Sequence, residues 1–126
     1  YEFYRGYINF NDLLTKLNCC KSAIVMRYHG HIFCMTLGIP FISINYTGAK
    51  GKVHSLLNRI KYSQWSEVWG EINSEKIIEK HNDLIQNYNY WSDHLLSESQ
   101  LLLDLLHSTY STVFEIDYNS LNGGED

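Results

Sequence analysis

The stretch from Ala23 to Tyr46, AIVMRYHGHIFCMTLGIPFISINY, contains the pattern that decides the fold. Its first four residues form a continuous apolar run, which is typical of a short strand covered on both faces. The residues from about His29 to Leu37 suit a helix, and Gly38 follows them as a C-terminal cap. The segment from Pro40 to Tyr46 is rich in β-branched and aromatic residues and predicts a second strand. Two strands joined by a helix predict a parallel pair with a right-handed crossover.

Helical patterns flank this unit on both sides. Asn9 is suited to cap a helix that has Asp12 in its first turn. Apolar residues recur at helical spacing in this first helix and again after the second strand, at Phe10, Leu13, Leu14 and Leu17 and at Val53, Leu56, Leu57 and Ile60. Residues 9–60 therefore predict the order α-β-α-β-α, the core of an α/β fold with a Rossmann-like parallel sheet and flanking helices. The aromatic segment 1–7 predicts a further short strand.

The remainder of the chain predicts helices. We expect Trp65 to Trp69 to form one turn packed on the core, and Ser74 to cap the next helix. The apolar pattern then continues for too long for one uninterrupted surface helix, so a break is expected near residues 89–91 or near Ser97.

These patterns predict three parts of the chain. We expect residues 1–72 to form the Rossmann-like, anion-binding core, and residues 73–118 to form C-terminal helices that pack on this core or on a domain that the chain lacks. Residues 119–126 are polar and contain glycine, and we expect them to form a flexible tail.

The charge of the chain is unevenly distributed. Residues 1–60 carry seven basic and two acidic residues (net +5), whereas residues 61–126 carry three basic and twelve acidic ones (net −9). The basic first part indicates an anionic ligand, although acidic surface helices at the end of the chain explain the contrast equally well. The overall net charge of −4 disfavours nucleic acid as a main partner.

Cysteine usage and apolar run lengths bear on the compartment. The chain has three cysteines, Cys19, Cys20 and Cys34, and no C-x-x-C pair, which favours free thiols in a reducing, cytoplasmic environment over disulfides or structural zinc. The apolar runs are much shorter than a membrane span, so none is expected. Because the chain begins with Tyr1 and shows no signal-peptide pattern, we expect it to be a fragment of a longer protein.

Three residues with useful chemistry follow the first predicted strand. Ligands of open parallel sheets bind beyond the carboxyl ends of the strands, which is where Arg27, His29 and Gly30 lie. The planar guanidinium of Arg27 matches a carboxylate or phosphate, and His29 can exchange a proton near neutral pH. Gly30 lets the backbone approach a ligand closely.

The loop after the second predicted strand has matching chemistry. Beyond Tyr46, the glycines Gly48 and Gly51 alternate with Lys50 and Lys52, which resembles an anion cradle but is not the P-loop pattern. If the two strands are neighbours, this loop and the Arg27 segment reach one crevice. A strand-end arginine that pairs with a surface carboxylate, and a glycine-rich loop that is only a turn, are the structural alternatives.

A metal site is not predicted. His29 and His31 are two positions apart, so they do not face each other on a helix, and no Asp or Glu lies near them in sequence.

Two segments of this region resemble the polysaccharide pyruvyl transferases. The residues Met26 to Phe33, MRYHGHIF, look like the strand-end Arg-Leu-His-type motif of that family and the start of its helix. The residues Leu37 to Tyr46, LGIPFISINY, look like its Gly-Ile/Val-Pro turn and the strand that ends in Tyr, and a lysine before Val53 follows. The resemblance covers roughly residues 20–60.

The resemblance implies a GT-B-like architecture of two Rossmann-like domains, with this chain as the carboxyl-terminal half. It implies a transferase of polysaccharide biosynthesis that moves pyruvate from phosphoenolpyruvate onto a sugar of a surface glycan as a ketal, without a cofactor. By motif position, His29 is implied to protonate the methylene carbon of the donor, and Arg27 to bind its carboxylate or phosphate. Lys50 or Lys52 is implied to complete the anion site.

The chain departs from the family pattern in two places. Tyr28 stands where the family usually has Leu, and the loop from Tyr46 to Lys50 is longer than the usual spacing, which leaves open which lysine reaches the ligand. The missing amino-terminal domain also leaves the activity of this chain alone open. Two other functions stay in competition: a GT-B glycosyltransferase half that binds a nucleotide sugar, although no acidic residue is placed for a ribose after the 46–52 loop, and an inactive accessory or self-associating domain.

Overall fold

The structure, a computed structural model, describes residues 9–123, and it describes side chains over residues 9–109. The segment 1–7, for which the sequence predicts a strand, lies outside the described residues. Short 3₁₀ turns occupy Gly48–Lys50, Ser63–Trp65 and Trp69–Glu71. The remaining elements are α1 (Phe10–Asn18), β1 (Ala23–Val25), α2 (Tyr28–Leu37), β2 (Phe41–Asn45), α3 (Lys52–Arg59), β3 (Ser66–Val68), α4 (Ser74–Gln86) and α5 (Tyr88–Gly123).

A parallel sheet with the strand order β1-β2-β3 lies at the centre of the described fold. β1 pairs with β2 in the register Ala23 to Phe41, and β2 pairs with β3 in the register Ser43 to Ser66. All five residues of the middle strand, β2, are buried. The predicted α/β class and the parallel pairing of the first two strands are therefore confirmed, whereas the place of this sheet in a GT-B-like pair of domains stays a prediction.

The prediction that the first strand is covered on both faces is wrong. Ile24, in the middle of β1, is 56% exposed, while Ala23 and Val25 are half-buried and pack against the core. β1 is an edge strand, and the helix next to it covers it incompletely, so an apolar run that suits an interior strand here has one open face.

The segment around Trp65 contains a strand that the sequence analysis missed. Trp65 ends a 3₁₀ turn and packs partly against the core, but Ser66–Val68 then pairs with β2, and Trp69 is 56% exposed. Three residues are too few to show the alternation that identifies a strand. Lys80 of α4 fixes β3 from outside, since its ammonium donates to Ser66 O at 2.8 Å and lies 2.8 Å from Glu67 Oε1.

The boundaries of the two last helices also differ from the prediction. Asn73, rather than Ser74, caps α4, because its Oδ1 accepts the N–H of Lys76 at 2.8 Å. The break in the helical pattern lies at Asn87, two residues before the predicted range. By contrast, the predicted cap of α1 is confirmed: Asn9 Oδ1 accepts the N–H of Asn11 at 2.8 Å.

The last two helices join the core that surrounds β2. Leu84 of α4 and Leu95 of α5 are fully buried together with Phe41 and Ile42 of the central strand. Gly38 ends α2 in the left-handed conformation (φ 68°), as the sequence predicts. Its carbonyl accepts a hydrogen bond from Ser92 Oγ of α5 at 2.7 Å, so the end of α2 and the start of α5 are tied together.

The part of α5 beyond the core is exposed. The side chains from residue 103 to residue 109 are all exposed, including several large leucines. We call the following four the leucine surface: Leu101, Leu103, Leu105 and Leu106, which are 46–61% exposed. Despite these leucines, none of the helices in the described residues is both long enough and apolar enough to cross a bilayer.

Candidate functional site

The carboxyl ends of the parallel strands lie at one edge of the sheet. Val25, the last residue of β1, is paired with Ser43, so β2 continues for two more residues before it ends at Asn45. Asn45 in turn is paired with Val68, the last residue of β3. The segment that begins at Met26 and the loop that begins at Tyr46 therefore leave the sheet at the same edge, as the sequence predicts from the parallel pairing.

Arg27 and His29 are both exposed at this edge. Arg27 is the residue before the first turn of α2 and has an extended backbone (φ −85°, ψ 145°), and its side chain does not cap the helix. No ion pair to the Arg27 guanidinium occurs among the residues with described side chains. The ring of His29, in the first turn of α2, packs edge-to-face on Tyr28 at 5.7 Å between centroids. Both groups are thus free to meet a ligand from solvent.

His31 lies on the opposite side of α2 from His29 and is completely buried. Its Nδ1 is 2.6 Å from Arg27 O, and its Nε2 is 2.7 Å from Ser43 Oγ on β2. Burial lowers the pKa of the His31 imidazole, and the hydrogen bond to the Arg27 carbonyl opposes this only in part. From the sequence, His31 was considered only as a metal ligand. Its buried hydrogen bonds to Arg27 O and Ser43 Oγ follow from the packing of α2 on β2, which no local pattern reveals.

Asn45 shapes the loop that follows β2. Its buried side chain accepts hydrogen bonds from Thr47 N at 3.1 Å and from Thr47 Oγ1 at 3.2 Å, and its amide donates to Gly48 O at 3.3 Å. A Cβ at Gly51 would overlap the hydroxyl of Thr47, so glycine is required there by close packing within the loop. The loop is therefore built by specific contacts rather than being a bare turn, and Asn45 is a second residue that sequence reasoning missed.

The two lysines of this loop line one groove between α2 and α3, with a volume of about 710 Å³. Arg59, at the end of α3, adds a third cation, and no carboxylate side chain contributes to the lining. Within the described residues these three cations form no ion pairs. The lining residues are Tyr28, Ile32, Lys50, Gly51, Lys52, Ser55, Leu56, Arg59 and Leu102.

The other predicted site residues lie outside the lining of this groove. Arg27 and His29 are the sequence neighbours of Tyr28, which does line the groove. Tyr46 is 48% exposed, and Gly48 has a positive φ of 75° with open space at the position that a Cβ would occupy. At Gly30 a Cβ would meet Val25 at 3.7 Å, an ordinary contact, so internal packing does not demand glycine there. Close approach of a ligand to Gly30 stays a prediction.

The histidines do not gather into a metal centre in the described part of the chain. No group of three or more His, Cys, Asp or Glu side chains there is arranged to hold a metal ion. His81 Nε2 is hydrogen-bonded to Ser22 Oγ at 2.7 Å, and His94 Nε2 donates to Ile60 O at 2.7 Å. His81 therefore links α4 to the residue before β1, and His94 links α5 to the residue after α3.

Comparison with known proteins supports the family resemblance over part of the chain. The family model described as polysaccharide pyruvyl transferase matches residues 1–48, which include Arg27, His29 and the whole of β2. This match confirms the resemblance found in the sequence, but it lies at the start of this chain and lends no support to the expectation of a carboxyl-terminal half. No curated protein and no solved structure matches the chain.

Proposed function

We propose that this chain carries the donor site of a transferase that moves pyruvate from phosphoenolpyruvate to a sugar of a surface polysaccharide. The observation that carries the proposal is the position of Arg27 and His29. Both lie inside the segment that matches the family, and both are exposed at the carboxyl edge of a parallel sheet, where ligands of such sheets bind. Free thiols at the exposed Cys19 and Cys20 fit the reducing cytoplasm as the compartment of this reaction.

The proposed chemistry needs a proton donor and fixed positive charge. His29 donates a proton to the methylene carbon of phosphoenolpyruvate, which becomes a methyl group. Two hydroxyls of the sugar form bonds to the neighbouring carbon, the bond from that carbon to the phosphate oxygen breaks, and phosphate leaves. One hydroxyl proton replaces the proton that His29 gave, and the other leaves with the phosphate. Arg27 holds the carboxylate or phosphate through its planar fork.

Lys50 and Lys52 complete the proposed anion site together. Both line the groove that also contains Tyr28, the residue between Arg27 and His29, and Arg59 adds to its positive charge. Three cations without an opposing carboxylate favour a ligand with several negative charges, which phosphoenolpyruvate is. We therefore propose that both lysines, rather than one of them, contact the donor.

Binding of the donor by this chain is the first test of the proposal. We expect phosphoenolpyruvate to raise the melting temperature of the chain, since ligand at a hundred times its dissociation constant adds about 2.7 kcal/mol of stability. Arg27→Ala should abolish the rise, whereas Lys76→Ala, which removes an exposed cation of α4, should not. A larger rise with UDP than with phosphoenolpyruvate would instead favour the nucleotide-sugar glycosyltransferase.

Phosphate release from phosphoenolpyruvate in the presence of a saccharide acceptor tests the role of His29 in the full-length protein. We expect His29→Ala to cost about 2–4 kcal/mol of transition-state stabilisation, the scale of a lost general acid or charge-stabilising donor. His107→Ala, which changes an exposed histidine of α5, serves as the control. Full activity of His29→Ala would remove His29 from the mechanism.

The leucine surface favours self-association as a second candidate function. Leu103 and Leu106 lie on one side of α5 and Leu101 and Leu105 on another, so large apolar side chains face solvent around the helix, an exposure that monomeric proteins rarely leave open. If this surface joins two copies, sedimentation velocity should show a dimer that Leu103→Gln/Leu106→Gln converts to a monomer. A monomer at all concentrations, with the leucines intact, would exclude this function.

A further inference from the structure

The carbonyl of Arg27 is held by two donors from the same residue. The backbone N–H of His31 donates to Arg27 O at 3.3 Å, as the first hydrogen bond of α2, and His31 Nδ1 lies 2.6 Å from the same oxygen. Because a carbonyl oxygen can only accept, Nδ1 must carry the proton. The position of Arg27, which has no side-chain capping bond of its own, is thus fixed from inside the helix.

The second nitrogen of His31 anchors this arrangement to the sheet. With the proton on Nδ1 and a neutral ring, Nε2 accepts the hydroxyl proton of Ser43 at 2.7 Å. Ser43 is fully buried in the middle of β2, and it is paired with Val25 on one side and Ser66 on the other. The imidazole therefore connects the central, buried strand β2 to the backbone of Arg27.

From this connection we infer that His31 is a positioning residue, which fixes the Arg27–His29 turn relative to β2 so that both side chains meet the donor in one geometry. This inference rests on the proposed function, because it assumes that Arg27 and His29 bind phosphoenolpyruvate. His31 touches no ligand itself, since its side chain is fully buried. Its contribution is therefore expected in the affinity for the donor as well as in stability.

A second His–Ser pair in the fold provides a matched control. His81 Nε2 and Ser22 Oγ are also 2.7 Å apart, and this hydrogen bond also ties a helix to the sheet. Ser22, however, directly precedes β1, so it lies at the amino-terminal ends of the strands, opposite the end where Arg27 lies. Replacement of His81 removes a bond of the same type and length without disturbing the Arg27 turn. A purely structural role of His31 predicts that both replacements have the same effect on ligand binding.

The experiment compares three variants, His31→Phe, His31→Gln and His81→Gln, at a temperature where each is folded. Isothermal titration with phosphoenolpyruvate should give a dissociation constant at least about tenfold higher for His31→Phe, because misplacement of a binding group by about 1 Å costs up to about a hundredfold in catalysis. His31→Gln, whose amide can still donate to Arg27 O, should lose less. His81→Gln should keep the affinity of the unaltered chain.

Two outcomes would overturn the inference and are distinct from a failure of the proposed function. If His31→Phe binds phosphoenolpyruvate as tightly as the unaltered chain does, His31 does not position the site. If the unaltered chain binds no phosphoenolpyruvate, the proposed function fails. Amide hydrogen exchange then tests separately whether His31 holds the Arg27–His29 turn in place. Exchange at residues 28–31 that His31→Phe leaves unchanged would show that His31 does not hold the turn either.

Discussion

The hydroxyl of Tyr62 takes the place of a strand residue beside Phe41. It donates to Phe41 O at 2.8 Å and accepts the N–H of Phe41 at 2.9 Å. The neighbouring carbonyl of Pro40 faces β1, where it accepts the N–H of Ala23, so the polar groups of Phe41 face the side of β3. β3 begins only opposite Ser43. Tyr62 thus satisfies two buried backbone groups that the short third strand does not reach.

Tyr62→Phe should therefore destabilise the fold strongly, although it removes a single oxygen atom. The change leaves a donor and an acceptor of Phe41 buried without partners, and we expect it to lower the free energy of unfolding by about 2–4 kcal/mol. Urea unfolding measures this loss. Tyr90→Phe, at a side chain that is 63% exposed, should change the free energy by less than about 0.5 kcal/mol. Equal effects of the two changes would contradict the role assigned to the Tyr62 hydroxyl.

Alanine substitutions at Gly38 and Gly48 separate the conformational cost of a side chain at positive φ from the cost of overpacking. Both glycines have a positive φ, but a Cβ at Gly38 would lie 2.8 Å from Leu96 Cγ, whereas no atom lies within 4 Å at Gly48. Gly48→Ala should therefore cost only the conformational penalty of about 1–2 kcal/mol. Gly38→Ala adds an overpacking cost and should reach about 2–5 kcal/mol in total.

The double variant Gly38→Ala/Leu96→Ala tests that partition. Removal of the Leu96 side chain relieves the collision, so the double variant should be destabilised less than the two single changes added together. Simple additivity in urea unfolding would show that the alanine methyl does not meet Leu96.

Burial of His31 predicts a loss of stability in mild acid. Desolvation holds the pKa of the folded-state imidazole below its usual value, so the unfolded chain binds more protons than the folded chain below about pH 6.5. This stabilising contribution is complete above that pH and is lost as the pH falls towards the folded-state pKa. Urea unfolding at a series of pH values between 7 and 5 should show the decline, and the slope should be smaller in His31→Gln. A slope that is unchanged in this variant would assign the acid sensitivity to another group.

The three cysteines should differ sharply in reactivity. Cys19 and Cys20 are exposed, whereas Cys34 is buried, and burial together with the nearby Cys20 raises the pKa of the Cys34 thiol to about 11. Because the thiolate is the reactive form, a disulfide reagent at pH 8 should modify Cys19 and Cys20 in the native chain and Cys34 only after unfolding. Prompt modification of Cys34 in the native chain would show that the core around α2 opens readily.

Long-range hydrogen bonds explain which parts of the candidate site the sequence could predict. The strand, the helix after it and the Gly38 cap are encoded in adjacent residues. That the Arg27 segment and the loop after Tyr46 both leave the sheet at the carboxyl ends of the strands follows from parallel pairing alone. His31 and Asn45 were not identified, because their roles depend on burial. His31 meets Ser43 across two elements, and the Asn45 side chain acts on a loop whose shape no motif describes.

The edges of the sheet were the least predictable part of the fold. The apolar neighbours of Ile24 in sequence suggest an interior residue, yet its side chain is 56% exposed. Ser66–Val68 carries a serine and a glutamate in a segment of three residues, and only its pairing with β2 makes it a strand. Local composition cannot separate such a strand from a turn, since its stability comes from the neighbour that it pairs with.

The contact between Trp65 and Trp91 gives this molecule an optical signature of its own. Their rings meet edge-to-face at 5.4 Å, with Tyr62 against both, while Trp69 stands apart in solvent. Trp65 precedes β3 and Trp91 belongs to the first turns of α5, so we expect coupled near-ultraviolet circular dichroism from the two rings only while α5 is packed on the sheet. The Trp65–Trp91 pair can therefore report spectroscopically on the packing of α5 against the sheet, and the exposed Trp69 is a separate fluorophore.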